Sequence, residues 1–377
     1  MAKIKVTAKQ VYEYTNNATK ELLGDSPLIA EDLSNVIDIG TSLDNIDGAY
    51  VSYVNNLILA YGKDIYVNRP YKADTLNIVR DNVEYGQLIA KYRTKLDEAM
   101  PNQSWQLQHG ASYDDNQFIE TDVEVEIFTQ RDAYEIRKSI TDEQIRGAFK
   151  SPEALTRFTS MVFTMVYNSI GVKRVSLVKA VVNNFIAEVR NINKATQNIK
   201  LLTEYNTLFG TQLTRAQAYF SKEFFRYATS RILFFKKQLT EYKTIYNAKG
   251  TEVFTPSELQ HLVLLDKFKV NAEMYLDSDT FHDEFIKMPY HETVASWQAA
   301  QDVDSVSVAK TASGATNIII NGVIGVLFDH DALGMNEDSP TTRTHYVNSA
   351  EFTNYWFKQK VGYFNSLDEN FILFTLE

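Results

Sequence analysis

The sequence predicts an α+β fold built from long elements and interrupted pieces, and three observations predict it. Val123, Val125 and Ile127 alternate with Asp122, Glu124 and Glu126, the period-two pattern of a strand. Ser151-Pro152-Glu153 opens a stretch whose apolar residues keep helical spacing for about 40 residues. Asn321-Gly322 stands between the β-branched runs NIII and VIGVLF, the signature of a tight hairpin. Neither an internal repeat nor a Pro- or Ser-rich linker separates clean domains.

Taken in order, the chain opens with a helix signal. Thr7 and Gln10 have capping-box spacing, Val11, Tyr14, Ala18 and Leu22 continue at helical intervals, and Gly24 stands at the stop. Asp25-Ser26-Pro27 breaks that helix, which either docks elsewhere or folds onto its own domain. Residues 49–61, AYVSYVNNLILAY, form a further apolar helix candidate. From Gly62 to Gln117 the chain is polar and weakly periodic, with exposed-looking Tyr66, Tyr71, Tyr85, Tyr92 and Trp105. A loop this long inside a compact domain is usually functional, so a partner for it is expected elsewhere.

The strand at 123–127 is expected to continue, after a turn at Gln130-Arg131-Asp132, into Tyr134 and Ile136. Thr141 and Gln144 cap a short helix. In the long helix Ser151 offers the cap oxygen, Pro152 the first helical position and Glu153 the first-turn acid. Gly171 interrupts it, at about 1 kcal/mol or a kink. A helix on the order of 50 to 60 Å long outruns an ordinary small domain, so something long must run alongside it. Residues 197–247 read as mainly helical. Lys222, Arg226, Lys236, Lys237 and Lys243 fall on an arc of roughly 120°, with Phe220, Tyr227, Phe234 and Phe235 opposite. An ordinary solvated face is expected, with a polyanion surface as its alternative. Beyond 254, an apolar run at 261–270, a cap at Ser278-Asp279-Thr280 and the 317–328 hairpin follow. From Thr342 alternation leads to Phe371-Ile372-Leu373-Phe374.

Composition narrows the function. With 44% hydrophobic and 23% charged residues, the 377-residue chain can bury a core and does not read as disordered. Its 38 Lys+Arg against 48 Asp+Glu leave a net charge of −10, which repels phosphate backbones and anionic membranes. Nucleic-acid binding is therefore not expected as the main task. The absence of cysteine excludes disulfides, thiol catalysis, Cys-based zinc sites and iron–sulfur clusters. The opening MAKIKVTAKQ lacks a signal-peptide core, and no run reaches the roughly 20 apolar residues of a membrane helix. A soluble protein, intracellular at synthesis, is expected. The 22 Tyr and 22 Phe against 15 Gly suit extensive contact surfaces and argue against phosphate-cradling loops.

The search for chemistry returns little. There is no Gly-x-Ser-x-Gly, P-loop or dinucleotide fingerprint. His282, Asp283, Glu284, His291 and Glu292 are the candidate metal set of a metal-dependent hydrolase, but they lack His-x-x-x-His spacing and Pro289 divides the histidines. Asp329, Asp331 and Gly334 echo a calcium loop, yet Leu333 and Pro340 stand where its fifth and twelfth positions need oxygens. Asp114-Asp115 and Asp302/Asp304 are carboxylate pairs in turn contexts, where Asp serves the backbone. No catalytic residue, cofactor or metal is expected, and a structural assembly protein fits better than an enzyme.

Several stretches then point to a family: IYVNRPY (65–71), SWQLQHGASYDD (104–115), DSDTFHDEF (277–285), GVLFDHDALG (325–334) and EFTNYWFKQKVGYFNSLDENF (351–371). Together with the order of parts, they resemble the major capsid proteins of tailed bacteriophages, whose fold is shared with encapsulin shells and the floor of herpesvirus capsids. The likeness covers most of the chain and rests on shape-setting residues. It implies an N-terminal arm and entry helix at 1–61, an extended loop at 62–120, and a peripheral domain with a spine helix at 121–195. An axial domain at 196–340 and C-terminal strands at 341–377, returning to the peripheral domain, complete it. The resemblance further implies an icosahedral or prolate head of hexamers and pentamers, assembled in the host bacterial cytoplasm. Its implied partners are copies of itself, scaffolding, portal and decoration proteins, and packaged double-stranded DNA held non-specifically. Val11, Tyr14, Tyr66, Arg69, Tyr71, Tyr85 and Trp105 are the candidate inter-subunit contacts. An encapsulin-type compartment is the alternative. Some members join a loop Lys to an Asn covalently, but no spacing singles out Lys63, Lys72 or Lys91 for that role.

Overall fold

The computed structural model describes residues 16, 37–38, 41, 76–80, 89–96, 99, 102–112, 120, 122–277, 291–298, 301–309, 317–338 and 341–377. The expected helices at 7–22 (Asn16 apart) and 49–61, and the capped segment at 278–288, lie outside them. In chain order come β1 (Val79–Arg80), β2 (Ile89–Thr94), β3 (Val123–Phe128), β4 (Arg131–Thr141), α1 (Asp142–Ala148) and α2 (Pro152–Ile192). β5 (Asn198–Lys200), α3 (Leu201–Phe209), α4 (Arg215–Ala218), α5 (Lys222–Gln238), β6 (Gln260–Leu265), α6 (Asp266–Asp277) and β7 (Glu292–Val294) follow. The chain ends through β8 (Val306–Val308), β9 (Ile318–Ile320), β10 (Val323–Asp329), β11 (Leu333–Glu337), β12 (Thr341–Val347), β13 (Phe352–Asn365) and β14 (Phe371–Thr375). Two compact units result, one from 1–84, 131–178 and 335–362, the other from 85–130, 179–334 and 363–377.

In the first unit β13 pairs antiparallel with both β4 and β12. Thr353, Tyr355, Phe357 and Gln359 of β13 are buried while their neighbours are not, so the period-two pattern fixes the register. Both expected caps form. Thr141 Oγ1 accepts from the Gln144 N–H and Gln144 Oε1 from the Thr141 N–H, a complete capping box on α1. Ser151 Oγ accepts from the Ala154 N–H at 3.2 Å and starts α2. α2 then runs for 41 residues straight through Gly171. Arg174 on α2 forms a buried ion pair with Glu337 on β11.

The second unit is built on a five-stranded sheet in the order β5-β14-β10-β6-β7. Every residue of β10 and β14 is buried, which explains their unbroken apolar runs, VIGVLF and FILF. Phe185 meets Phe371 at 4.3 Å, and the Trp297 ring nitrogen donates to the Val323 carbonyl at 2.8 Å.

Two expectations are corrected. Asn321-Gly322 does not close a hairpin: β9 pairs with β8, whereas β10 pairs with β6 and β14. A type I′ turn needs positive φ at both central residues, and only Gly322, at φ +75°, has it. The Val323 N–H donates instead to the Asp304 carbonyl, and the Leu376 N–H to the Gly322 carbonyl. Strands form on both sides of residues 129–130, as expected, with β3 paired to β2 and β4 to β13. Finally, 197–247 is mainly helical as expected, but in three helices, so the basic arc reaching Lys243 does not form. Gly210 ends α3 in the left-handed region, Thr214 and Ser221 cap new helices, and α5 stops at Gln238. Lys243 therefore lies beyond the helix, in a bridge to Val253, and of the expected apolar side Phe235 is buried while Phe220 and Phe234 are exposed.

Candidate assembly surface

β2 and β3 form a two-stranded antiparallel ribbon in the second unit, with register from Ile89↔Phe128 to Thr94↔Val123. Side chains alternate across a strand, so Tyr92, Val123, Val125 and Ile127 share one face, and Lys91, Arg93, Glu124 and Glu126 the other. The apolar face is the outer one: Tyr92 is 71% exposed, Val125 50% and Ile127 57%. The polar face is the one that meets the body of the unit.

There Glu369, in the turn between β13 and β14, accepts from both Lys91 and Arg93. Lys91 Nζ also donates to Ser366 Oγ at 3.3 Å and to the Asp331 carbonyl at 3.4 Å, and Arg93 Nη1 to the Asp368 carbonyl at 3.4 Å. Glu126 Oε2 accepts from Ser366 Oγ at 2.8 Å. Lys249 bridges Asp368, at 2.9 Å, and Glu126, at 3.4 Å. Burial alone would lower the Lys249 pKa, but the hydrogen bond and charge of Asp368, with Glu126 behind them, hold it above its ordinary value. Phe128 adds one apolar contact, 5.2 Å from Phe364. At the far end, hydrogen bonds to Asp122 and Glu124 raise the pKa of exposed Lys95.

In the connection between β2 and β3, Gln103–Trp105 makes a single 3₁₀ turn, with Trp105 91% exposed and Leu107 also exposed. Of the residues singled out from the sequence, Trp105 is thus on the surface, whereas Val11, Tyr14, Tyr66, Arg69, Tyr71 and Tyr85 lie outside the described residues. Sequence reading missed Lys91, Arg93 and Glu369 as a group. The signal was present as a Lys-Tyr-Arg alternation and an acidic SLDENF turn, but nothing local joins segments more than 270 positions apart.

The other candidates draw on residues outside the ribbon's outer face. His282, Asp283 and Glu284 lie outside the described residues, among which no group of three His, Asp or Glu could hold a metal. His261 Nε2 lies 3.0 Å from His330 Nδ1, and Glu292 lies 3.5 Å from the other nitrogen of His261. Asp329 serves its own turn, accepting from the Asp331 N–H and Thr255 Oγ1. Asp304 accepts from Arg215 and from the Tyr219 hydroxyl, whose pKa burial pushes up. A cavity of about 420 Å³ is lined by Arg190, Asn191, Asn193, Lys200, Ile318 and Ile319, and Glu377 engages both of its cations. No helix among the described residues is long and apolar enough to cross a membrane.

The model of the Phi29-like phage major capsid protein family matches residues 15–375. The chain belongs to this family. Among solved structures the capsid protein is similar to the capsid of Staphylococcus phage Andhra, at 12% identity and a TM-score of 0.54, with 80% of this chain and 83% of that chain covered. At that identity the likeness speaks to the fold alone. The capsid of cyanophage P-SCSP1u is also similar, with 12% identity, 88% and 98% covered and a TM-score of 0.48. No curated protein matches. The capsid protein is a structural component of the virion, an α+β chain that forms phage capsid from copies of itself.

Proposed function

We propose that the capsid protein closes an icosahedral or prolate head as hexamers and pentamers, with the outer face of the β2–β3 ribbon and Trp105 covered by a neighbouring copy. The observation that carries this reading is the inverted ribbon: it spends its charges on its own unit and turns Tyr92, Val125 and Ile127 to solvent. A contiguous apolar face of that kind marks an interaction site, and a two-stranded ribbon without cover is marginal in water. Head-to-tail contacts through such a face generate rings.

Under this reading residues 1–61 are the arm, 62–120 the extended loop, 121–195 and 341–377 the peripheral domain, and 196–340 the axial domain. Val11, Tyr14, Tyr66, Arg69, Tyr71 and Tyr85 join Trp105 at inter-subunit contacts, and the arm and loop flex between pentameric and hexameric positions. The acidic surface, with its net charge of −10, holds packaged DNA without gripping it, and scaffolding, portal and decoration proteins act in the host cytoplasm. The capsid protein takes no part as an enzyme.

Tyr92→Ser combined with Val125→Ser tests the ribbon. The variant should keep the circular-dichroism spectrum and melting temperature of the parent and fail to form closed particles in negative-stain microscopy. Normal particle numbers from that chain would overturn the reading.

A further inference from the structure

We infer that Glu369 is the positioning residue of the ribbon: one buried carboxylate receives both cations of β2, and so sets the angle at which the apolar face meets a second copy of this chain. The inference rests on the covered-ribbon reading above. β2 and β3 pair as a separate two-stranded sheet, so the orientation of the ribbon depends on what its inner face touches. Phe128 against Phe364 fixes one end, and a single such contact is a pivot. Lys91 and Arg93, roughly 6.6 Å apart along the strand, supply a second and third point by converging on Glu369.

Glu369 is itself held rigid. On either side of it, the Ser366 N–H donates to the Ala332 carbonyl at 2.7 Å, and the Asp329 N–H to the Asn370 carbonyl at 3.0 Å. The turn is therefore pinned to the central sheet of the unit, and its geometry passes to the ribbon through one side chain. With a side-chain exposure of only 6%, Glu369 sits where ion pairs are weakly screened and charge-assisted hydrogen bonds are strong. The charges of the group cancel, Lys91, Arg93 and Lys249 against Glu126, Asp368 and Glu369, so neutralising Glu369 leaves half-buried cations short of a partner.

The test uses the full chain and Glu369→Gln, which keeps shape and removes charge. By hydrogen exchange below the assembly concentration, amides of 89–94 and 123–128 should lose protection by about tenfold or more, while those of β10 and β14 are unchanged. Particle yield should fall in parallel, and Glu369→Asp, which keeps the charge, should retain more of both than Glu369→Gln. Unchanged ribbon protection in Glu369→Gln overturns the inference, whatever the particle yield. If Glu369→Gln does not fold, Lys91→Gln with Arg93→Gln should give the same local loss, and parental protection in that chain overturns the inference equally. Closed particles from Tyr92→Ser/Val125→Ser remove the ribbon reading itself. Failure of that chain beside normal closure by Glu369→Gln removes the positioning role alone.

Discussion

Arg174 and Glu337 illustrate how much a single buried pair can hold. Their side chains are 3% and 7% exposed, and substitution of Arg174 by Met leaves the Glu337 carboxylate buried without that cation. Loss of about 3–5 kcal/mol in unfolding free energy is expected, measured by urea denaturation. Glu377 contributes to the pH dependence. Burial pushes its carboxyl up, but hydrogen bonds from Lys200 and Arg190 and their charges outweigh this and hold it below its ordinary 4.5. With the folded pKa below the unfolded one, its contribution is complete above about pH 4.5 and is lost as pH falls through the folded value. Glu377→Gln should flatten that acid limb in thermal melts taken from pH 6 to pH 3, and an unchanged limb would refute the assignment. At this scale the sequence was informative wherever chemistry is local. Thr141, Gln144 and Ser151 cap as their spacing requires, and Gly322 takes the positive φ expected of it. Glu369 was not legible, because its partners are brought to it only by tertiary folding.

Among the elements, α2 was the most legible, since a cap oxygen, a first-position proline and sustained apolar spacing all agree. Gly171 neither breaks nor ends it, because about 1 kcal/mol is small against the packing of a 41-residue helix. The hairpin at Asn321-Gly322 failed for a physical reason: β10 is a central strand whose two edges are taken by β6 and β14, leaving none for β9. The same crowding gives a prediction. A Cβ at Gly325 would stand 2.6 Å from Leu264 Cδ2 and 2.9 Å from the Val263 carbonyl oxygen, so Gly325→Ala should cost about 1–3 kcal/mol. Differential scanning calorimetry checks it, and a melting temperature equal to the parent's would show that the β6–β10 spacing is not tight. For β3, alternation predicted a two-faced strand without saying which face is buried. Its charged face is the inner one at Glu126, which Lys249 and the Ser366 hydroxyl complement.

For the whole chain, the fold class and the family were legible while the allocation of aromatics was not. The wealth of Phe and Tyr was read as contact surface, yet Phe185, Phe224, Phe225, Phe268, Phe328, Phe371 and Phe374 are fully buried in the second unit. The proposed contact role falls instead to a few exposed side chains, foremost Tyr92 on a ribbon that is ionic where it meets its own unit, and Trp105 in the turn between its strands. Membership of a capsid family supplies the many copies that such a face requires. Cryo-electron microscopy of particles formed by the purified chain tests this most directly. The account predicts side chains of an adjacent copy within about 4.5 Å of Tyr92, Val125 and Ile127 at both pentameric and hexameric positions. Closed particles in which those three side chains face open solvent would contradict it.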